Sequence, residues 1–277
     1  MITLFVGAGY TGARVLARLP DTIALGRSRG GNRQLDLDRD GALRISLPER
    51  YAVIYSVPPA DDQPGDPRLG RFLEMLPHPP ARIVYLSTTG VYGNRDGERV
   101  DELSKPRAES ARAERRLAAE QMLAEWCTGR DTTAVVLRVP GIYGPGRLGT
   151  DRIQAAMPVL EEQDANPGNR IHVDDLATCC IAALSPDVPD GIYNVGDGDH
   201  RSGTWFTNEV ARQAGLAPPP TIRFREARET FSPMRLSFLR ESRVVDTTKM
   251  RKVLGVTPKY ANPADGIAAS LEEESDG

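Results

Sequence analysis

The sequence predicts an α/β protein: a doubly wound parallel sheet with a smaller C-terminal α+β lobe. Three observations carry that prediction. First, a short apolar run, Ile2-Thr3-Leu4-Phe5-Val6, leads straight into a glycine-rich turn and then into helical spacing, with Val15, Leu16 and Leu19 on one side. Second, the runs YAVIYS (51–56), RIVYLS (82–87) and TAVVLR (133–138) are almost continuously apolar, as strands covered on both faces by helices must be. Third, helical patterns separate these runs, and that alternation gives a parallel sheet with a ligand at its carboxyl edge.

Each element follows in order. Thr22 to Leu25 reads as the second strand, and a third is expected near Gln34–Leu35, with no helix between 28 and 47. The stretch PPADDQPGDP (58–67) is a loop. Leu69 to Leu76 is a helix. Ser110 to about Trp126 is a longer one, with Ala113, Leu117, Ala118, Met122 and Trp126 recurring on one side. After about residue 145 Gly and Pro become dense and the elements shorten. Helices are expected at 173–184, 204–214 and 265–274. The expected organisation is a nucleotide-binding domain over 1–145 and a smaller lobe over 146–277 that shares some elements with it and closes over the cleft.

Composition narrows the function classes. Of 277 residues, 40% are hydrophobic and 26% charged, as in an ordinary globular protein, and the net charge of −3 gives no electrostatic reason to expect nucleic acid or an anionic membrane. No apolar run approaches the roughly 18 residues of a membrane span. Cys127, Cys179 and Cys180 are odd in number and two are adjacent, which argues against a disulfide framework. The three histidines lie far apart, so no metal site is expected. These features predict a cytoplasmic protein.

The turn Gly7-Ala8-Gly9-Tyr10-Thr11-Gly12 sits between strand and helix, the context in which G-x-G-x-x-G binds a dinucleotide. The first glycine permits the turn, the second admits the pyrophosphate to the backbone, and the third lets helix and strand pack closely. The first helix presents unpaired N–H groups to the phosphates. The second strand ends in Leu25-Gly26-Arg27-Ser28-Arg29, with no acid until Asp36. An acid there would accept a ribose 2′-hydroxyl, whereas arginine accommodates a 2′-phosphate. Arg27 and Ser28 therefore favour NADP over NAD, although a lone arginine at that place is also compatible with a solvated surface residue.

Several segments together resemble the extended short-chain dehydrogenases/reductases, the NAD-dependent epimerase/dehydratase family. They are GAGYTG (7–12), Asp36-Leu37, LSTTGVYG (86–93), RVPGIYGPGR (138–147), RIHVDDLA (170–177), GIYNVGDG (191–198), and Leu254-Gly255 followed by Pro258. The resemblance implies a Rossmann domain with substrate held between it and the small lobe. It places Asp36 and Leu37 beside the adenine. Thr88 falls where the family has its catalytic Ser or Thr, and Tyr92, Tyr143 and His172 fall in segments expected at the cleft. It also implies a dimer by analogy, which the charges of Arg112, Glu114, Arg115 and Arg116 on the candidate helix make less certain.

One departure matters more than the matches. The family's acid/base is a tyrosine followed four residues later by a lysine that lowers its pKa. No Tyr-x-x-x-Lys occurs anywhere in the chain. Counting back from Glu120-Gln121-Met122-Leu123 puts Arg116 at the lysine position and Arg112 at the tyrosine position. Arg116 can still hydrogen-bond ribose hydroxyls, but Arg112 cannot be a general base, because guanidinium stays protonated. The acidic pair of the sugar dehydratases is replaced by Thr89-Gly90. Two functions remain open: an NAD(P)-dependent oxidoreductase or epimerase, on a sugar-nucleotide-like or small carbonyl substrate, with a non-standard acid/base; or a catalytically inactive NAD(P)-binding regulatory or sensor protein.

Overall fold

The structure, a computed structural model, describes residues 1–27 and 33–276, leaving aside the side chains of Pro233, Met234 and Phe238. The chain opens with β1 (Ile2–Val6), α1 (Tyr10–Leu16), β2 (Thr22–Gly26) and β3 (Arg33–Gln34). It continues with β4 (Tyr51–Tyr55), α2 (Pro67–Met75), β5 (Arg82–Thr88), β6 (Arg99–Val100), α3 (Ala111–Cys127) and β7 (Thr133–Val139). Local chemistry sets these starts. The Asp66 carboxylate accepts the Leu69 N–H, and Pro67 stands at the first position of α2, where no N–H is needed. The Ser110 hydroxyl accepts from Ala113 N in the same way at α3.

The second half runs β8 (Gly141–Tyr143), α4 (Thr150–Gln154), β9 (Val159–Leu160), β10 (Arg170–His172), α5 (Val173–Ala182), β11 (Gly191–Asn194) and α6 (Gly203–Gln213). It ends with β12 (Thr221–Ile222), α7 (Phe224–Thr230), α8 (Pro233–Arg240), β13 (Val244–Val245), α9 (Thr248–Lys252) and α10 (Pro263–Asp276). Among the described residues no helix is long and apolar enough to cross a membrane.

Seven strands form one sheet in the order β11-β7-β5-β4-β1-β2-β3, and every pairing is parallel. This is the doubly wound α/β class that the strand pattern predicts. Residues alternate between its faces. Phe5, Ile54, Val84, Val135 and Leu137 join Val15, Leu176 and Met250 in one core, beneath α1, α5 and α9. Leu4, Val6, Val53, Tyr55, Ile83 and Tyr85 join Leu69, Phe72 and Leu123 in the other, beneath α2 and α3. With both faces covered, the runs have no reason to alternate in polarity, and they do not.

Three two-stranded parallel sheets lie outside the main sheet: β8 with β10, β9 with β12, and β6 with β13. The chain leaves the main sheet after β7 and returns to it. After β10, α5 packs on α1, and β11 completes the main sheet beside β7. The first connection runs from β1 outward through β2 and β3, and the next strand, β4, falls on the other side of β1. The carboxyl ends of β1 and β4 are therefore the point where the winding reverses and a crevice opens.

Candidate functional site

The crevice is walled by the turn after β1 (Gly7, Ala8, Gly9), the end of β2 (Gly26, Arg27), the segment Leu35–Asp38, the end of β4 (Ser56, Val57, Pro58) and Arg68 of α2. Its glycines meet three different constraints. Gly7 has φ +88°, and a Cβ there would lie 2.8 Å from Val57 Cγ2. A Cβ on Gly12 would lie 2.9 Å from the Phe5 ring, so α1 sits directly on β1. A Cβ on Gly9 would have only Gly7 O nearby, at 3.9 Å, so this backbone faces open space. The turn is held by Gly7 N to Leu25 O at 2.8 Å and by the Ser56 hydroxyl donating to Gly7 O at 2.8 Å. Gly9 stands at the cap of α1 and no side chain caps it there.

The charges at the outer end form a small network. Arg68 donates through Nε and Nη2 to both carboxylate oxygens of Asp38, at 2.7 and 2.6 Å, and this contact lowers the Asp38 pKa. Arg27 is exposed, with its guanidinium 3.8 Å from the same carboxylate. Ser28 lies outside the described residues. Asp36 turns its carboxylate back to accept the Asp38 N–H at 3.0 Å, while Leu37 is buried and its carbonyl accepts from Arg71. Nothing in the sequence flagged Arg68, which reaches Asp38 across 30 positions.

Arg116 connects this end to the next strand. Its Nη1 donates to Val57 O at 3.4 Å, to Leu86 O at 2.9 Å and to the Tyr85 hydroxyl at 3.1 Å. It therefore spans the carboxyl ends of β4 and β5, two residues short of Thr88. Thr88 closes β5, and its Oγ1 accepts the Gly90 N–H at 3.1 Å, starting the 3-10 turn Thr89–Tyr92. The hydroxyl hydrogen remains available to donate. Arg112 is on the first turn of α3, where Ala113 packs beside Gly90, and burial lowers its pKa, with Glu241, Arg243, Arg116 and Arg115 close enough to act on it.

The three residues expected at the cleft, Tyr92, Tyr143 and His172, are buried. Tyr92 is fully buried because the 3-10 turn rotates it inward; its hydroxyl donates to Asn194 Oδ1 at 2.7 Å and Arg138 lies over its ring. Tyr143 is buried against His172 and Phe206, its hydroxyl has no partner, and burial raises its pKa far from any working range. His172 caps α5: Nδ1 accepts the Asp174 N–H at 3.2 Å, and Nε2 lies 3.2 Å from the Ser270 hydroxyl. Ser270 already donates to Gly266 O, so Nε2 carries the imidazole's hydrogen and donates to it. Burial lowers the His172 pKa, so the ring is neutral and structural. None of the three lines the crevice. Among the described residues no cluster of His, Cys, Asp and Glu could hold a metal ion.

Behind Thr88 lies a buried polar chain that no local pattern of residues announces. Arg138 donates to Glu120 through Nε and Nη2, at 3.1 and 2.7 Å, and the Ser87 hydroxyl donates to the same carboxylate. With Tyr92 and Asn194 it ties β5, β7, β11 and α3 together under the site.

Residues 71–196 match the NAD dependent epimerase/dehydratase family. "Protein YeeZ" of Escherichia coli K12 is 26% identical over 224 residues, 79% of this chain and 74% of that protein. A functionally unknown conserved protein from Silicibacter pomeroyi DSS superposes with a TM-score of 0.83 at 28% identity, over 98% of each chain. MoeE5 in complex with UDP-glucose and NAD superposes with a TM-score of 0.76 at 21% identity, over the full length of both.

Proposed function

From the premise that the chain belongs to the NAD-dependent epimerase/dehydratase family, we propose that it is an NADP(H)-binding oxidoreductase or epimerase whose proton transfer does not use the usual tyrosine. The observation that carries the reading is the crevice at the reversal of the sheet. Its glycine turn exposes the Gly9 backbone, and no side chain fills the space where pyrophosphate would lie. The residues present fit a nicotinamide dinucleotide: Leu37 and Val57 flank an apolar slot for a base, and Arg116, held at the ends of β4 and β5 through Nη1, would turn its remaining N–H donors to ribose hydroxyls. A bound nicotinamide supplies hydride transfer to or from a substrate carbon.

The chain's own residues would do the rest. Thr88 offers a hydroxyl hydrogen at the carboxyl end of β5 to a substrate oxygen. Arg116 and Arg112 supply fixed positive charge to an oxygen on which negative charge develops. Neither arginine moves a proton, so the proton would come through Thr88 and water. The preference for NADP rests on Arg27, because the acid nearest to it, Asp38, is already held at both oxygens by Arg68. MoeE5 was seen with NAD, and at 21% identity its likeness shows the fold alone.

A second reading, a cofactor-binding regulator without turnover, is favoured by the missing Tyr-x-x-x-Lys and by the burial of Tyr92 and Tyr143. One experiment separates the two. The protein is titrated with NADPH and NADH by fluorescence, then screened against nucleotide sugars and small carbonyl compounds. Saturable binding with turnover supports the enzyme, and binding without turnover across the panel supports the regulator. Arg27→Ala is expected to weaken NADPH about tenfold and NADH less than twofold, since one charged hydrogen bond is worth about 1.5–3 kcal/mol. Equal losses would overturn the NADP preference, and no binding of either nucleotide would overturn both readings.

A further inference from the structure

The tyrosine inside the glycine turn points away from the crevice and into the second lobe. Tyr10 donates its hydroxyl to Pro145 O at 2.9 Å. The Arg147 guanidinium lies 4.0 Å over the centre of its ring. Gly144 is glycine for the same reason, because a Cβ there would come within 2.6 Å of the Tyr10 oxygen and 2.8 Å of Val173 Cγ1. The turn and the segment 144–149 are thus fitted to each other across 135 positions of sequence.

That segment has an unusual backbone. Gly144, Gly146 and Gly149 have φ of +147°, +74° and +76°, and no strand or helix holds any of them. Its hydrogen bonds to the rest of the fold are few before Leu148: Tyr10 to Pro145 O, and the Gly146 N–H to Glu274 of α10 at 2.6 Å; beyond it the segment is held by the buried Leu148 and by Gly149 O, which accepts the Arg152 and Ile153 N–H groups of α4. Its far side walls the principal cavity of the small lobe, about 650 Å³, which Gly146, Arg147, Leu148 and Gly149 share with Arg152 and Arg235. Segments with few anchors and glycine backbones open locally at low free energy, so a single anchor changes their population measurably.

We propose that Tyr10 is a positioning residue through which occupancy of the cofactor crevice sets the position of the 144–149 loop and hence the wall of the lobe cavity. The inference rests on the crevice being the dinucleotide site. Tyr10 shares its backbone with the turn that forms the crevice wall, so a ligand that fixes residues 7–10 fixes the origin of the Tyr10 side chain. The hydroxyl and the ring pass that constraint to Pro145 and Arg147. A ligand shifts the loop only as far as it prefers one arrangement of the turn, so the effect is a change in the fraction of time the loop is open.

Trypsin reports that fraction, because Arg147 is exposed and its peptide bond to Leu148 lies within the loop. Wild type and Tyr10→Phe are digested with and without NADPH, each at ten times its own measured Kd, and cleavage after Arg147 is followed by mass spectrometry. In the wild type NADPH is expected to slow this cut at least fivefold. In Tyr10→Phe, which keeps the ring under Arg147 but loses the bond to Pro145, NADPH is expected to change the rate less than twofold. Glu274→Ala, which removes the loop's contact with α10 and leaves the Tyr10 bond in place, is expected to raise the rate without NADPH and to keep the fivefold protection.

Equal protection in wild type and Tyr10→Phe overturns the proposal. So does loss of protection in Glu274→Ala, which would assign the effect to any loosening of the loop. NADPH binding to the wild type without protection at Arg147 overturns the coupling and leaves the dinucleotide reading standing. A wild type that binds neither NADPH nor NADH removes that reading and the coupling with it.

Discussion

The buried pair behind Thr88 should respond in opposite ways to single and double replacement. Arg138 and Glu120 have side-chain exposures of 1% and 6%. Replacing Glu120 by leucine removes the acceptor of two arginine donors and of the Ser87 hydroxyl. It also leaves a guanidinium in the core whose Nη1 already has no partner. Two hydrogen bonds to charged groups, at about 1.5–3 kcal/mol each, give a loss of at least about 3 kcal/mol. The uncompensated buried charge brings the loss to about 3–5 kcal/mol, and Arg138→Met should lose a similar amount. The double variant Glu120→Leu/Arg138→Met removes both charges and fills the space with apolar atoms, so it should lie within about 1–2 kcal/mol of wild type.

Urea unfolding followed by fluorescence and by circular dichroism tests the cycle. With a slope of about 3 kcal/mol per molar urea, each single variant should lower the midpoint by about 1 M or more, and the double by much less. The coupling free energy, wild type plus double minus the two singles, is then large and favourable. A Glu120→Leu variant within about 1 kcal/mol of wild type would refute the reasoning. A double variant whose loss equals the sum of the singles would show instead that packing around each side chain, and not their mutual charge, holds β5 to β7 and α3.

Two further outcomes follow from single groups. Burial raises the Asp197 carboxyl to about 7 from its ordinary 3.8; Oδ1 accepts the Asp199 N–H and Oδ2 has no partner. The folded state therefore holds a proton that the unfolded chain has lost, and the group's contribution to stability falls as pH rises from about 4 through 7. Asp197→Asn should gain stability relative to wild type across that window, by about 1–3 kcal/mol at pH 8 and by little at pH 4; a difference that does not vary with pH would sink the assignment. Thr88→Ala should lower stability by about 1 kcal/mol through loss of the Gly90 contact and abolish any turnover found with NADPH, whereas Thr88→Ser should retain both; undiminished turnover in the alanine variant would remove Thr88 from the site.

What the sequence disclosed and what it concealed divide along the range of the interactions. The parallel sheet was legible because burial on both faces leaves a local mark, a continuous apolar run such as Tyr51–Tyr55 or Arg82–Thr88. The crevice was legible because its glycine spacing carries local constraints, as Gly12 answers to Phe5 on the strand just before it and Gly7 to its own φ of +88°, whereas the contact of Gly7 with Val57 at the end of β4 was not. Helix α7 left no such mark, since FREARET carries no apolar stripe. Tyr92 misled for a definite reason. Its spacing from Thr88 suits a cleft residue only if the backbone stays extended, but Thr88 caps a 3-10 turn, and that turn swings the ring beneath Arg138 to a partner 102 residues on. His172 misled differently: an imidazole with a suitable ordinary pKa sat at the lobe junction, but both its nitrogens are committed, one to the start of α5 and one to α10.

The same distinction explains where the departure at Arg112 and Arg116 leaves the chemistry. A tyrosine–lysine pair works because the lysine holds the phenol near neutral pKa, and every tyrosine that the fold brings near this site is pushed the other way by burial. Tyr10 on the glycine turn and Tyr85 beside Arg116 are each raised to about 12, Tyr85 even with Arg116 donating to its oxygen, and Tyr92 and Tyr143, buried away from the crevice, are raised as well. No phenol among them can exchange protons at neutral pH. An enzyme on this scaffold must therefore separate the two jobs that the pair combines. On the function proposed above, Arg116 and Arg112 would provide the charge and not the proton. On that function the proton would arrive through a hydroxyl or water, and Thr88, whose Oγ1 accepts the Gly90 N–H, would be the group to pass it.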